Sequence, residues 1–149
     1  MRTLLLVNGP NLNLLGEREL GIYGRATLPE IVTGLRAQAL DNGYTLLDRQ
    51  SNHEGVLVDF IQEHGAGAAG LIINAGALTH TSIAIRDAIL ARRLRFVEVH
   101  LSNIHAREEF RHHSWLSDKA EGVIVGLGPD GYRYALDWLI QHPAEEAKQ

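Results

Sequence analysis

Three short polar stretches hold most of the side chains in this 149-residue sequence that could do chemistry. "NGPN" (residues 8–11) follows the apolar run "LLLV", "NAGALTHTS" (74–82) follows "GLII", and "EVHLSNIH" (98–105) follows "RFV". If the three loops meet at one edge, they bring together Asn8, Asn11, Asn74, His80, Glu98, His100 and Ser102. Asn, Ser and Gly form turns for local reasons, so a single asparagine says little. His and Glu have no such excuse, and together they offer acid–base groups and hydrogen bonds to a polar ligand. Glu98 and His100 stand two apart in a strand-like run, and alternation along a strand puts them on the same face.

A fourth stretch, "NGPNLNLLGERELGIYG" (8–24), is too long for a simple connection and shows no strand or helix periodicity. A loop beyond about 12 residues without secondary structure is usually functional or disordered. It contains Tyr23, whose phenol is a poor base near neutrality unless a cation lowers its pKa from about 10. Arg18 can fold back beside it and Arg25 is nearer in sequence, so adjacency alone does not choose between them.

Several chemistries are disfavoured. The lysines are Lys119, flanked by acidic residues, and Lys148 in the tail, which argues against a Schiff base in a dry pocket. His100, His105, His112 and His113 are close together, but their spacing fits no familiar metal site. There is no Gly-x-Ser-x-Gly elbow and no Walker loop. Without cysteine there is neither a disulfide nor a thiolate nucleophile, which suits a reducing cytoplasm. A net charge of −4 argues against general nucleic-acid or membrane-surface binding, and no run approaches the ~18 apolar residues of a spanning helix.

The elements that must position these groups alternate. Residues 3–7, "YTLLDRQS", "GLIIN", "RFVEVH" and "GVIVGL" read as strands, the second being the least apolar and so nearer a sheet edge. Helical spacing marks Leu28, Ile31, Leu35 and Ala39; then Leu57, Phe60, Ile61 and His64; then Ile85, Ala88 and Ile89 behind a Thr81 or Ser82 cap; and lastly about residues 130–141. The segment 101–121 is ambiguous, and "AREEFRHHSWL" within it could be a short helix. Five strands separated by helices predict an α/β, flavodoxin-like three-layer sandwich. Its parallel sheet would run in the order 2-1-3-4-5, with ligands held at the carboxyl ends of the strands. The chain fits one domain, with a flexible tail over residues 143–149.

"NGPNLNLLG-R", "YG", "NAGALTHTS", "EVHLSNIHAREEFRHHS" and "GVIVGLGPDGYRYAL", in this order, resemble the type II 3-dehydroquinate dehydratases over nearly the whole chain. The resemblance implies dehydration of 3-dehydroquinate to 3-dehydroshikimate, in the shikimate pathway, without metal, imine or cofactor. It implies Tyr23 as the base, Arg18 keeping its phenolate available, and Asn11 stabilising an enolate through a bound water. His100 becomes the general acid, with Glu98 suited to orient that imidazole or the surroundings of Tyr23. Asn74, His80 and Arg111 match positions that hold the ring hydroxyls and neighbouring groups. Leu101 and Ser102 match the carboxylate site, and Arg107 matches a second loop arginine.

Asp87 matches a residue lent to a neighbouring subunit, so the resemblance also implies trimers assembling into a dodecamer. Two departures fall in the lid: Leu20 stands where many relatives have proline, and "GRAT" replaces a more hydroxyl-rich stretch. They leave the reacting groups in place and bear on lid closure. The competing reading from the residues is a flavodoxin-like module that binds a small anion without turning it over.

Overall fold

Runs of aliphatic residues build the sheet, because strands covered on both faces must be apolar on both. The computed structural model describes residues 1–17 and 20–145, apart from the side chains of Ile22 and Tyr23. Arg18, the Tyr23 phenol and residues 146–149 of the expected tail therefore lie outside the described residues. The order is β1 (Arg2–Asn8), α1 (Leu20–Tyr23), α2 (Leu28–Asp41), β2 (Tyr44–Gln50), α3 (Glu54–His64), β3 (Gly70–Asn74), α4 (Ile83–Ala91), β4 (Phe96–His100), β5 (Gly122–Val125) and α5 (Asp130–Gln141). All pairings are parallel and the strand order is β2-β1-β3-β4-β5, the expected doubly wound arrangement with β2 at an edge.

Alternation along β1 divides the core. Leu4 and Leu6 join residues of α2 and α5, including Leu35, Tyr132 and Leu136. Leu5 and Val7 face the other way, against Leu57 and Ile61 of α3 and Ile85 and Ile89 of α4. Each such fully buried side chain stabilises the fold by about 1.5–3 kcal/mol. The same alternation places Val97 and Val99 of β4 towards α5 and leaves Phe96 on the α3–α4 side. Glu98 and His100 share Phe96's side by parity.

Helix starts follow from their caps. Thr27 Oγ1 accepts from the Glu30 amide and Pro29 stands in the first turn of α2. Ser82, rather than Thr81, caps α4 through the Ile85 amide at 3.0 Å.

Three local expectations are corrected. The long first loop contains a 3₁₀ turn at Leu12–Leu14 as well as the four-residue α1. "AREEFRHHSWL" forms no α-helix; the segment winds through 3₁₀ turns at Ile104–Ala106, Glu109–Arg111 and Ser117–Lys119. Its polar side chains bond to nearby backbone instead, as Asn103 does to His105 and Ser114 to Leu116 and Ser117. β5 ends at Val125 because Gly126 turns into the left-handed region, with φ 88°, and donates its amide to the His100 carbonyl. Among the described residues no helix is long and apolar enough to cross a membrane.

Candidate active site

At the carboxyl edge the register sets Asn8 beside both Gln50 and Asn74. The chain then leaves β1 through Gly9, whose amide donates to the Asn74 carbonyl at 2.8 Å. A Cβ at Gly9 would lie 2.0 Å from the Ala75 carbonyl oxygen, so only glycine lets the two loops cross this closely. Asn11 follows with φ 69°, a left-handed conformation that asparagine tolerates. Its amide donates to Asn52 Oδ1 at 3.0 Å, and Gln50 Nε2 donates to Gly9 O at 3.2 Å. Gln50 and Asn52 were not among the sequence candidates, although Gln50 ends β2 and Asn52 lies two residues beyond it, at the same edge as the others.

A cleft of about 140 Å³ opens above this floor. The β1 loop contributes Pro10, Asn11, Leu12 and Leu15, the β3 loop Asn74, Gly76, Ala77 and His80. The far wall is His100, Leu101, Ser102, Ile104, Arg107 and Arg111. The structure thus brings together Asn11, Asn74, His80, His100, Leu101, Ser102, Arg107 and Arg111. Glu98 lies behind His100, fully buried, and does not reach the cleft. Asp87 is exposed on α4 and takes no part in the cleft of its own chain.

The two histidines are set differently. His100 Nε2 lies 2.5 Å from Glu98 Oε2, and an ionised carboxylate only accepts, so that nitrogen carries a proton. Burial is the largest influence on Glu98 and works against its charge. Bonds from His100, Ser117 and Ser114 outweigh it and hold the carboxyl below the ordinary value. His80 Nδ1 donates to the His113 carbonyl at 2.8 Å, which leaves Nε2 as the free lone pair of the neutral ring. Burial, with His100 and Arg111 nearby, lowers the His80 pKa despite that bond, so the ring is neutral near pH 7 and can accept from a hydroxyl. The rings stack with centroids 6.4 Å apart.

Arg107 Nη1 donates to Ser102 Oγ at 3.3 Å, and Arg111 Nε pairs with Glu108 at 2.7 Å. Two guanidiniums on one wall favour a carboxylate ligand. Of the unassigned histidines, His112 Nε2 donates to the Arg107 carbonyl at 3.0 Å, His105 lies near the His112 ring, and His113 supplies the carbonyl that sets His80.

Asn74 is held from behind. Its Oδ1 accepts from the Gly76 amide at 3.2 Å and its Nδ2 donates to Tyr132 Oη at 2.9 Å. Tyr132 in turn donates to Asn8 Oδ1 at 2.5 Å. One amide proton of Asn74 is left for a ligand. Burial pushes the Tyr132 phenol far above its ordinary pKa, so this tyrosine stays protonated and is no base.

The sequence model described as Dehydroquinase class II matches residues 2–140. The chain belongs to the class II dehydroquinases. Among its relatives, the catabolic 3-dehydroquinase of Aspergillus clavatus is 56% identical over 146 residues, covering 98% of this chain and 97% of that protein. The 3-dehydroquinate dehydratase of Photobacterium profundum is 53% identical over 147 residues, covering 99% and 98%. The type II dehydroquinase structure from Propionibacterium acnes superimposes with a TM-score of 0.89 at 39% identity, covering 95% of this chain and 98% of that one.

Proposed function

We propose that this dehydroquinase converts 3-dehydroquinate to 3-dehydroshikimate by proton abstraction through an enolate. Tyr23, as phenolate kept available by Arg18, takes the proton from the carbon next to the ketone. Asn11 supports the enolate oxygen through a bound water; a hydrogen bond already aimed at a developing oxyanion is worth most in a water-poor site. The hydroxyl on the next carbon leaves with a proton from His100, the carbon–carbon double bond forms, and water is released. Return of the Tyr23 proton to His100 resets both groups. Glu98 fixes the His100 ring. Asn74, His80 and Arg111 hold the ring hydroxyls, while Leu101, Ser102 and Arg107 hold the carboxylate.

The observation that carries this reading is the buried Glu98–His100 pair at 2.5 Å behind a cleft with two arginines on its wall, in a chain of this family. Purified protein mixed with 3-dehydroquinate should develop the ultraviolet absorbance of a conjugated enone carboxylate. Binding without that absorbance would refute turnover and leave a small-anion binding module. Tyr23→Phe should lose about 10²–10⁴-fold in turnover while still binding substrate; a wild-type-like rate would sink the base assignment.

The assembly reading is trimers forming a dodecamer, with Asp87 serving a neighbouring cleft. Ile83, Asp87 and Leu90 share one face of α4 at helical spacing, and all three are exposed in a single chain. Two half-exposed aliphatic residues around one carboxylate suit a contact between subunits. Solution mass measurement tests it, and a monomer would overturn it.

A further inference from the structure

Glu98 is a carboxylate in the middle of a sheet, and among the described residues no arginine or lysine bonds to it. A buried charge left unpaired is very costly, so its partners decide whether it can exist there. Beyond His100 these partners are two hydroxyls: Ser114 Oγ lies 3.0 Å and Ser117 Oγ 2.8 Å from Oε1. The Ser114 oxygen also accepts the amides of Leu116 and Ser117, at 3.0 and 3.2 Å. Its lone pairs are thereby occupied, and its single proton points to Glu98. The carboxylate is divided: Oε1 takes both hydroxyls and Oε2 takes the imidazole.

The turn carrying these serines is held from two sides. Leu116 is buried in the α3–α4 half of the core. Arg86 of α4 donates to the Trp115 carbonyl at 2.7 Å and pairs with Asp118 through both terminal guanidinium nitrogens, the Nη2–Oδ2 bond being 3.0 Å.

We propose that Ser114 and Ser117 are positioning residues for the reaction: the turn clamped by Arg86 fixes the Glu98 carboxylate in one orientation, and Glu98 in turn fixes the His100 ring towards the leaving hydroxyl. This rests on the reading of His100 as general acid. Neither serine lines the cleft, so both act through Glu98. Among the described residues, His100 on its own strand and His80 from the β3 loop are titratable groups that interact with Glu98.

The test compares Ser114→Ala, Ser117→Ala, the double variant, Ser117→Thr, Glu98→Gln and His100→Ala in steady-state dehydration of 3-dehydroquinate across pH. Thermal melts ensure that folded enzyme is compared. The double alanine variant should lose about tenfold or more in kcat, part of what a general acid supplies, with KM changed less than about threefold. The acid limb of its kcat profile should move to higher pH, because the donors favouring ionised Glu98 are gone. Ser117→Thr keeps a hydroxyl and should stay within about threefold of the parent. An unchanged kcat and unchanged acid limb in a folded double variant, with Glu98→Gln still impaired, would overturn the positioning role alone. Wild-type rates in His100→Ala would instead overturn the general-acid reading beneath it. If the double variant does not fold, the single variants carry the same two readouts.

Discussion

Removing one oxygen, Tyr132→Phe, should be costly out of proportion to its size. The ring is fully buried, so phenylalanine fills the same space and opens no appreciable cavity. What is lost is the hydroxyl between Asn74 Nδ2, at 2.9 Å, and Asn8 Oδ1, at 2.5 Å. Both asparagines are buried, and among the described residues Asn8 Nδ2 already has no hydrogen-bond partner. Each buried polar atom stripped of its partner costs about 1–3 kcal/mol, so two such atoms with some relaxation cost about 2–4 kcal/mol. In a domain of this size that lowers Tm by about 5–15 °C. Urea unfolding and thermal melts at fixed protein concentration measure it, with the half-exposed Tyr134→Phe on the same helix as the control, expected within about 0.5 kcal/mol. Asn74 would keep its Gly76 bond but lose its rear anchor, so KM for 3-dehydroquinate should rise several-fold, more than kcat falls. A Tyr132→Phe protein as stable as the parent would refute the claim that this hydroxyl satisfies the strand ends.

Gly9→Ala should cost about 3 kcal/mol or more and abolish turnover, since its Cβ would meet the Ala75 backbone; a normal melt in a folded variant would contradict the crossing. Glu98 titrates below its ordinary value in the folded chain, so its stabilisation is complete above the unfolded value of about 4.3 and is lost as pH falls through the lowered one. Melts across the acid range should therefore show a steeper loss for the parent than for Glu98→Gln, and parallel curves would dispose of this. Borohydride with substrate should leave activity intact, because Lys119 is exposed on the 3₁₀ turn Ser117–Lys119, away from the cleft; covalent trapping on it would overturn the absence of an imine.

The sheet was legible because its strands are unbroken aliphatic runs between helices whose buried faces repeat at helical spacing. Ile85, Ala88 and Ile89 are the clearest case, read as a face and found buried. In α2 the buried set is Leu28, Val32, Leu35 and Ala39, with Ile31 only partly covered, because a wide apolar stripe leaves its margin undecided. The cleft residues were legible where a loop follows a strand end. The supporting ones were not: Tyr132 meets Asn8 across 124 positions, and Ser117 meets Glu98 across 19. Those contacts depend on how α5 and the 101–121 segment fold back, which no local spacing encodes. That segment also misled, since its polar residues bond their own backbone and wind it into 3₁₀ turns rather than an α-helix.

The crossing of the β1 and β3 loops at Gly9 and Ala75 also divides the cleft by stiffness. Backbone rests against backbone there, pinned by the Asn74 carbonyl and by the Tyr132 bridge beneath, so the floor has no slack to accommodate a different ligand shape. The opposite wall is short turns whose arginines are tied to the half-exposed Glu108 and to Ser102. Among the described residues, change of ligand preference is cheapest on that wall: a substitution there alters reach and charge without disturbing the sheet, whereas one in the floor must first survive folding.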